Sequence, residues 1–124
     1  MLPLGMARTF KTKWFSKTAR KARIADAELC EAIEEAAKGQ ADDLGGGVFK
    51  KRLKANAYRS IVLMKGGNWW VYEYLFAKKD RDNIDDEELA GFRVLAKSYA
   101  GLDAAQVQRL LDDKDLTEIC HDEA

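Results

Sequence analysis

Eight cations fall in two short stretches of this 124-residue chain. Lys50, Lys51, Arg52 and Lys54 lie within one stretch, Arg59 follows shortly after, and Lys78, Lys79 and Arg81 form the second. Side chains alternate along a strand, so Lys50, Arg52 and Lys54 are expected on one face with Val48. Phe49 and Leu53 take the other face, with Lys51 between them. Three like charges on one side of one strand make a concentrated positive field, the kind that attracts a phosphate backbone. Arg59 stands out because it interrupts Tyr58–Met64, a run that otherwise reads as core. A competing reading makes these residues the solvated face of a sheet, where lysines also discourage edge-to-edge aggregation.

Other residue types offer less. Trp69, Trp70, Tyr72, Tyr74 and Phe76 have the makings of a base-stacking platform, yet a strand this apolar is read first as core. Tyr74 is the aromatic kept as an RNA-binding candidate, with Lys50 and Lys78. Cys30 and Cys120 are the only cysteines. They are expected to be reduced, incidental thiols of a cytoplasmic protein. The one histidine, His121, lies among acids near the C-terminus, so a Cys/His zinc site is not expected. No phosphate-binding glycine loop, dinucleotide fingerprint or HExxH motif is present. Asp85-Asp86-Glu87-Glu88 reads as helix capping, since acids favour a helix N-terminus.

The formal net charge of zero conceals an asymmetry. Residues 1–81 carry 17 Lys and Arg against 9 Asp and Glu; residues 82–124 carry 4 against 12. A basic first part and an acidic end suggest a polyanion-binding surface followed by an acidic segment. The length suits a single domain with its own core. Met1–Gly5 lacks the pattern of a secretory signal and is expected to be disordered, and no run is apolar enough to span a bilayer.

To hold the cations in place, the chain must supply a sheet. Arg8–Trp14 alternates, with Phe10, Thr12 and Trp14 on one face, as a half-buried strand does. Ser16 is placed to cap a basic helix ending near Ile24. Asp26 is placed to cap a second, closed by Gly39. Gln40–Gly47 reads as a loop. Val48–Lys54, Tyr58–Lys65 and Trp69–Ala77 then form strands joined by short Asn- and Gly-bearing turns, with Trp69–Ala77 central because both its faces are apolar. A helix from Asp85 to Gly101 and another opened by Asp103 follow, and Leu116–Ile119 is a candidate edge strand. The expected fold class is α+β: a helical pair plus an antiparallel sheet with C-terminal helices, in one domain spanning residues 1–124.

This ordered set resembles the RelE/ParE toxin superfamily, and within it the small RelE-like toxins of HigB type. The resemblance covers Ala7 to about Gly101. It rests on the glycine-led basic strand Gly45-Gly46-Gly47-Val48-Phe49-Lys50-Lys51-Arg52-Leu53 and the Arg-led strand Arg59-Ser60-Ile61-Val62-Leu63-Met64. The segment Phe76-Ala77-Lys78-Lys79-Asp80-Arg81 and the helix start Asp86-Glu87-Glu88-Leu89 complete it. Residues 102–124 form a C-terminal helical extension beyond the minimal fold.

The resemblance implies a cytoplasmic toxin that cuts messenger RNA on the ribosome, without metal or other cofactor and away from membranes. It also implies a cognate antitoxin, expected to be a helix-turn-helix protein encoded next door. Carried over by position, Lys51 or Arg52 and Lys54 are base and acid candidates. Arg59 clamps the scissile phosphate, and Lys79, with Arg81 nearby, stabilises the transition state. Several family members place a Tyr or His after the last main strand, where this chain has Asp85 and its acidic neighbours, so the general base stays open. Two other classes remain in view: a ParE-like inhibitor of DNA gyrase, and a nucleic-acid-binding domain without catalysis.

Overall fold

The computed structural model describes residues 8–66 and 69–120. The segments expected to be disordered or frayed, Met1–Gly5 and the tail with His121, lie outside the described residues, as do two residues of the turn Gly66-Gly67-Asn68. In chain order the elements are β1 (Arg8–Thr12), α1 (Lys13–Lys21), α2 (Asp26–Ala37), β2 (Asp42–Gly45), β3 (Val48–Leu53), β4 (Tyr58–Lys65), β5 (Trp69–Ala77), α3 (Asp86–Ala100), α4 (Ala104–Asp112) and β6 (Leu116–Ile119). The result is an α+β fold around one six-stranded sheet of order β2-β3-β4-β5-β1-β6. Every pairing is antiparallel except β1 with β5. β5 is internal, as its two-faced hydrophobicity requires. Among the described residues, no helix is long and apolar enough to cross a membrane.

Each face of the sheet carries its own core. Alternation sends Leu53, Val62, Trp70, Tyr72 and Leu75 to the face covered by α1 and α2, where they meet Phe15, Ala19, Leu29 and Ile33. Val48, Ile61, Leu63, Val71 and Phe76 go to the other face, under Ala96 of α3 and Val107 of α4. A bulge breaks the β4–β5 register between Ile61 and Val62: Ile61 pairs with Tyr74 but Val62 with Tyr72, leaving Glu73 without a partner. The extra residue changes the parity of the strand, so Tyr74 and Phe76 lie on the α3 face although Tyr72 lies on the other.

Several boundaries differ from those the sequence suggests. The alternating run stops at Thr12, whose hydroxyl accepts from the Phe15 amide at 3.0 Å and thereby caps α1 four residues before Ser16. Trp14 is therefore helical and 48% exposed, while Phe10 and Thr12 are buried. Asp26 is the first residue of α2 and Ala25 its cap. Asp85 caps α3 as expected, in a reciprocal box with Glu88, and Asp103 does the same for α4 with Gln106. The segment expected as a loop contains β2, joined to β3 by Gly46 and Gly47, both at positive φ. A two-residue turn with both φ values positive suits the twist of a hairpin, which a sequence led by Asp42 and Asp43 conceals.

The cysteines are not separate thiols: Cys30 of α2 is bonded to Cys120, just past β6. β6 pairs with β1, and that register carries Cys120 over the helical pair. The Arg8 guanidinium grips Glu118 through two bonds of 2.8 and 2.7 Å on the same edge. β6 and Cys120 are thus fastened to both the sheet and α2.

Candidate functional site

The β3–β4–β5 register decides which cations meet. Arg52 lies directly opposite Arg59, and Arg59 opposite Phe76; one step along, Lys50 lies opposite Ile61, and Ile61 opposite Tyr74. Opposed residues of neighbouring strands share a face, so Lys50, Arg52, Arg59, Tyr74 and Phe76 all belong to the α3 face. Like charges directly opposite each other destabilise a sheet unless an anion joins them. Arg59 is only 7% exposed, and its guanidinium donates to the Asn56 and Tyr58 carbonyls at 2.9 and 3.3 Å. Those partners are neutral carbonyls, which offset the buried charge only in part.

The turn beyond β5 adds the second group. The Lys78 amide donates to the Ala57 carbonyl at 2.9 Å, bringing Lys78 and Lys79 beside the β3–β4 loop. A cavity of about 470 Å³ opens there, lined by Ala57, Tyr58, Ala77, Lys78, Lys79 and Asp82. Among the described residues, the side chains of Arg52, Lys78 and Lys79 enter no ion pair. Arg81 is held differently. Its guanidinium forks onto the Glu88 carboxylate at 3.0 and 2.5 Å, its Nε donates to the Asn83 carbonyl, and it lies over the Phe76 ring at 5.5 Å. The hydrogen bond to Glu88 raises the Arg81 pKa, with a smaller push from Tyr74, and Arg81 in turn lowers that of Glu88. Lys50 reaches the Asn83 side chain at 3.4 Å and Asp42 at 3.8 Å.

Two expected members are elsewhere. Lys51 turns to the helical-pair side, where its ammonium meets Glu35 at 2.8 Å and the Gln40 carbonyl at 2.8 Å. Lys54 lies beyond the end of β3. Its backbone is left-handed, its amide bonds Glu28, and its ammonium donates to the Ala22 carbonyl at 2.5 Å. There it offsets the negative C-terminal end of α1. The loop Lys54-Ala55-Asn56 holds three successive non-glycine residues at φ of 51°, 50° and 76°. Such strain gathers at functional sites and persists where surroundings over-determine it. Here the surroundings are Arg59, Glu28 and α1.

The residues joined on the α3 face are therefore Lys50, Arg52, Arg59 and Arg81, with Tyr74 among them, while Lys78 and Lys79 line the cavity at the β3–β4 loop with Tyr58 and Ala77. The family model for the RelE toxin of the RelE/RelB toxin-antitoxin system matches residues 7–119. The chain belongs to this RelE toxin family. Neither the curated proteins nor the solved structures give a significant match. In this RelE-family chain the match runs through β6.

Three contributors to this face are not apparent from the sequence. Glu88 was taken only as a cap, although the same carboxylate also orients Arg81. Asn83, in the loop after β5, bridges Lys50 to the Arg81 turn. Trp14, assigned to a buried strand face, stacks on Tyr74 with ring centroids 5.2 Å apart. On the same sheet face, burial raises the Glu73 carboxyl to about 7, against an opposing hydrogen bond from the Tyr99 hydroxyl at 3.4 Å.

Proposed function

We propose that this RelE-family toxin is an endoribonuclease that cuts messenger RNA on the ribosome, and that the α3 face around Arg59 is its active site. The observation that carries the reading is the Arg52–Arg59 opposition. Two arginines share one rung, one of them buried with neutral partners, and Lys78 and Lys79, in the turn that adjoins the β3–β4 loop, enter no ion pair among the described residues. A phosphodiester is the anion that suits such a row.

In the reaction the ribose 2′-oxygen bonds to phosphorus while the bond from phosphorus to the 5′-oxygen breaks. The 2′-hydroxyl proton leaves to a base, and the departing oxygen gains a proton. Charge accumulates on the non-bridging oxygens, where Arg52, Arg59 and Lys79 stabilise it. The Tyr74 phenol, beside Arg81, takes the role of exchanging a proton with the ribose or the leaving oxygen in this scheme. Lys51 and Lys54, engaged on the opposite side, support the sheet and the loop in this reading. Lys50 and Lys78 guide the backbone of the RNA. The toxin acts in the cytoplasm, and its helix-turn-helix antitoxin neutralises it by blocking this face.

Expression in a bacterial host tests the proposal. Induction is expected to stop growth and to shorten transcripts while plasmid supercoiling stays unchanged. Arrest with intact transcripts and altered supercoiling would instead mark a gyrase inhibitor.

A further inference from the structure

We propose that Trp14 and Tyr74 form a stacking platform for one nucleobase of the RNA, next to the phosphate held at Arg59; the inference rests on the phosphate-binding reading above. Trp14 is one of two large apolar side chains that are exposed among the described residues, the other being Val94. Its ring is nearly parallel to that of Tyr74, at 21° and 5.2 Å, so one face is covered and about half its surface remains open. Tyr74 is itself fixed from below by Phe76 at 5.9 Å and Phe92 at 5.8 Å. A held, half-open indole is ready to take a planar partner without further ordering.

The position follows from the fold. β1 reaches only as far as Tyr72 along β5, so the edge of β5 from Glu73 onward has no strand beside it. The Thr12 cap turns the chain there and delivers Trp14 against Tyr74. The bulge at Glu73 keeps Tyr74 on the same face as Arg59. Tyr74 is diagonal to Arg59 across the β4–β5 pair, a spacing of roughly 7 Å that one nucleotide bridges. Arg81 lies over Phe76 and next to Tyr74, and the exposed Lys13 and Lys17 flank Trp14 on α1, so the aromatic patch is bordered by cations. Aromatic rings set among cations match the alternating bases and phosphates of a single strand.

Titration of a fluorescein-labelled single-stranded RNA hexamer at low salt tests this, alongside the same hexamer carrying abasic positions. Trp14→Ala is expected to weaken binding of the intact hexamer about 5- to 150-fold, the range for losing one stacked base. Trp14→Phe should recover most of it. The abasic hexamer should bind weakly to the wild type and be nearly indifferent to Trp14→Ala. Equal losses on both RNAs would overturn the stacking role, because Trp14 would then act without the base. Unchanged binding by Trp14→Ala, with binding lost in an Arg52→Ala/Lys79→Ala variant, would overturn the platform while leaving the phosphate site standing. That result would assign the exposed indole to a protein partner. If the Arg52→Ala/Lys79→Ala variant binds as well as the wild type, or the wild type does not bind, the phosphate site itself is wrong.

Discussion

Cutting the Cys30–Cys120 bond should loosen the whole protein without touching the cation-rich face. The bond spans 90 residues of sequence, close to three-quarters of the chain. In the chain-entropy account a closure of that size lowers the entropy of the unfolded state enough to stabilise the fold by about 4.6 kcal/mol at 25 °C. Measured values usually fall short, and about 2–4 kcal/mol is the working expectation. For a protein of this length the unfolding entropy makes each kcal/mol worth about 4 °C, so reduction should lower the melting temperature by about 8–16 °C. β6 keeps its pairing with β1 and the Arg8–Glu118 fork, so the reduced protein should still fold at 25 °C. Thermal unfolding followed by circular dichroism, with and without reductant and again in Cys30→Ser/Cys120→Ser, gives the comparison. Reductant should move the wild type and leave the double variant unmoved. A wild-type midpoint insensitive to reductant, or two thiols titrating in the unreduced native protein, would refute the reasoning.

Three further outcomes follow from the site. Arg59→Lys keeps the charge but loses the fork, so cleavage should fall by about 10²–10³-fold; Arg59→Ala should in addition lower stability by about 0.5–1.5 kcal/mol, because the Asn56 and Tyr58 carbonyls lose their donor. Ala55→Gly should raise stability by up to about 1 kcal/mol in urea unfolding, since relief of a left-handed residue outweighs the added freedom of the unfolded glycine. Glu73 has a folded-state pKa of about 7, above the ordinary 4.5, so its ionised form is the costly one. Its contribution to stability is complete below about pH 4.5 and is lost as pH rises through about 7. Glu73→Gln should remove that slope and gain about 1 kcal/mol relative to wild type at pH 8, after allowance for partial exposure.

Hairpin punctuation and strand hydrophobicity made most of the sheet legible. Gly and Asn turns mark β3, β4 and β5, and the apolar groups on both faces of Trp69–Ala77 announce an internal strand. Asp85 with Glu88 announced α3. β2 was hidden because it is four residues long, begins with two acids, and exists only through a glycine turn and pairing with β3. At the site, Arg59 was legible as a charge inside an apolar run. Alternation puts Lys54 on the Val48 face, but β3 ends one residue earlier, and at Lys54 the backbone becomes left-handed and turns the side chain toward α1. Lys51 was expected among the catalytic lysines, but its partners Glu35 of α2 and Gln40 of the loop after it leave no local sign. The same holds for the disulfide, whose cysteines meet only through the β1–β6 pairing. Trp14 fitted a strand pattern that Thr12, a good cap as well as a good strand residue, brought to an end.

The most direct measurement is cleavage of a ribosome-bound message by the purified protein, with the product ends mapped at nucleotide resolution. Cuts that leave a 2′,3′-cyclic phosphate and a 5′-hydroxyl are expected, slowed at least about 10²-fold in Arg52→Ala/Lys79→Ala with its melting temperature near that of the wild type. Messages left whole by the wild type, or cut equally fast by that variant, would contradict it.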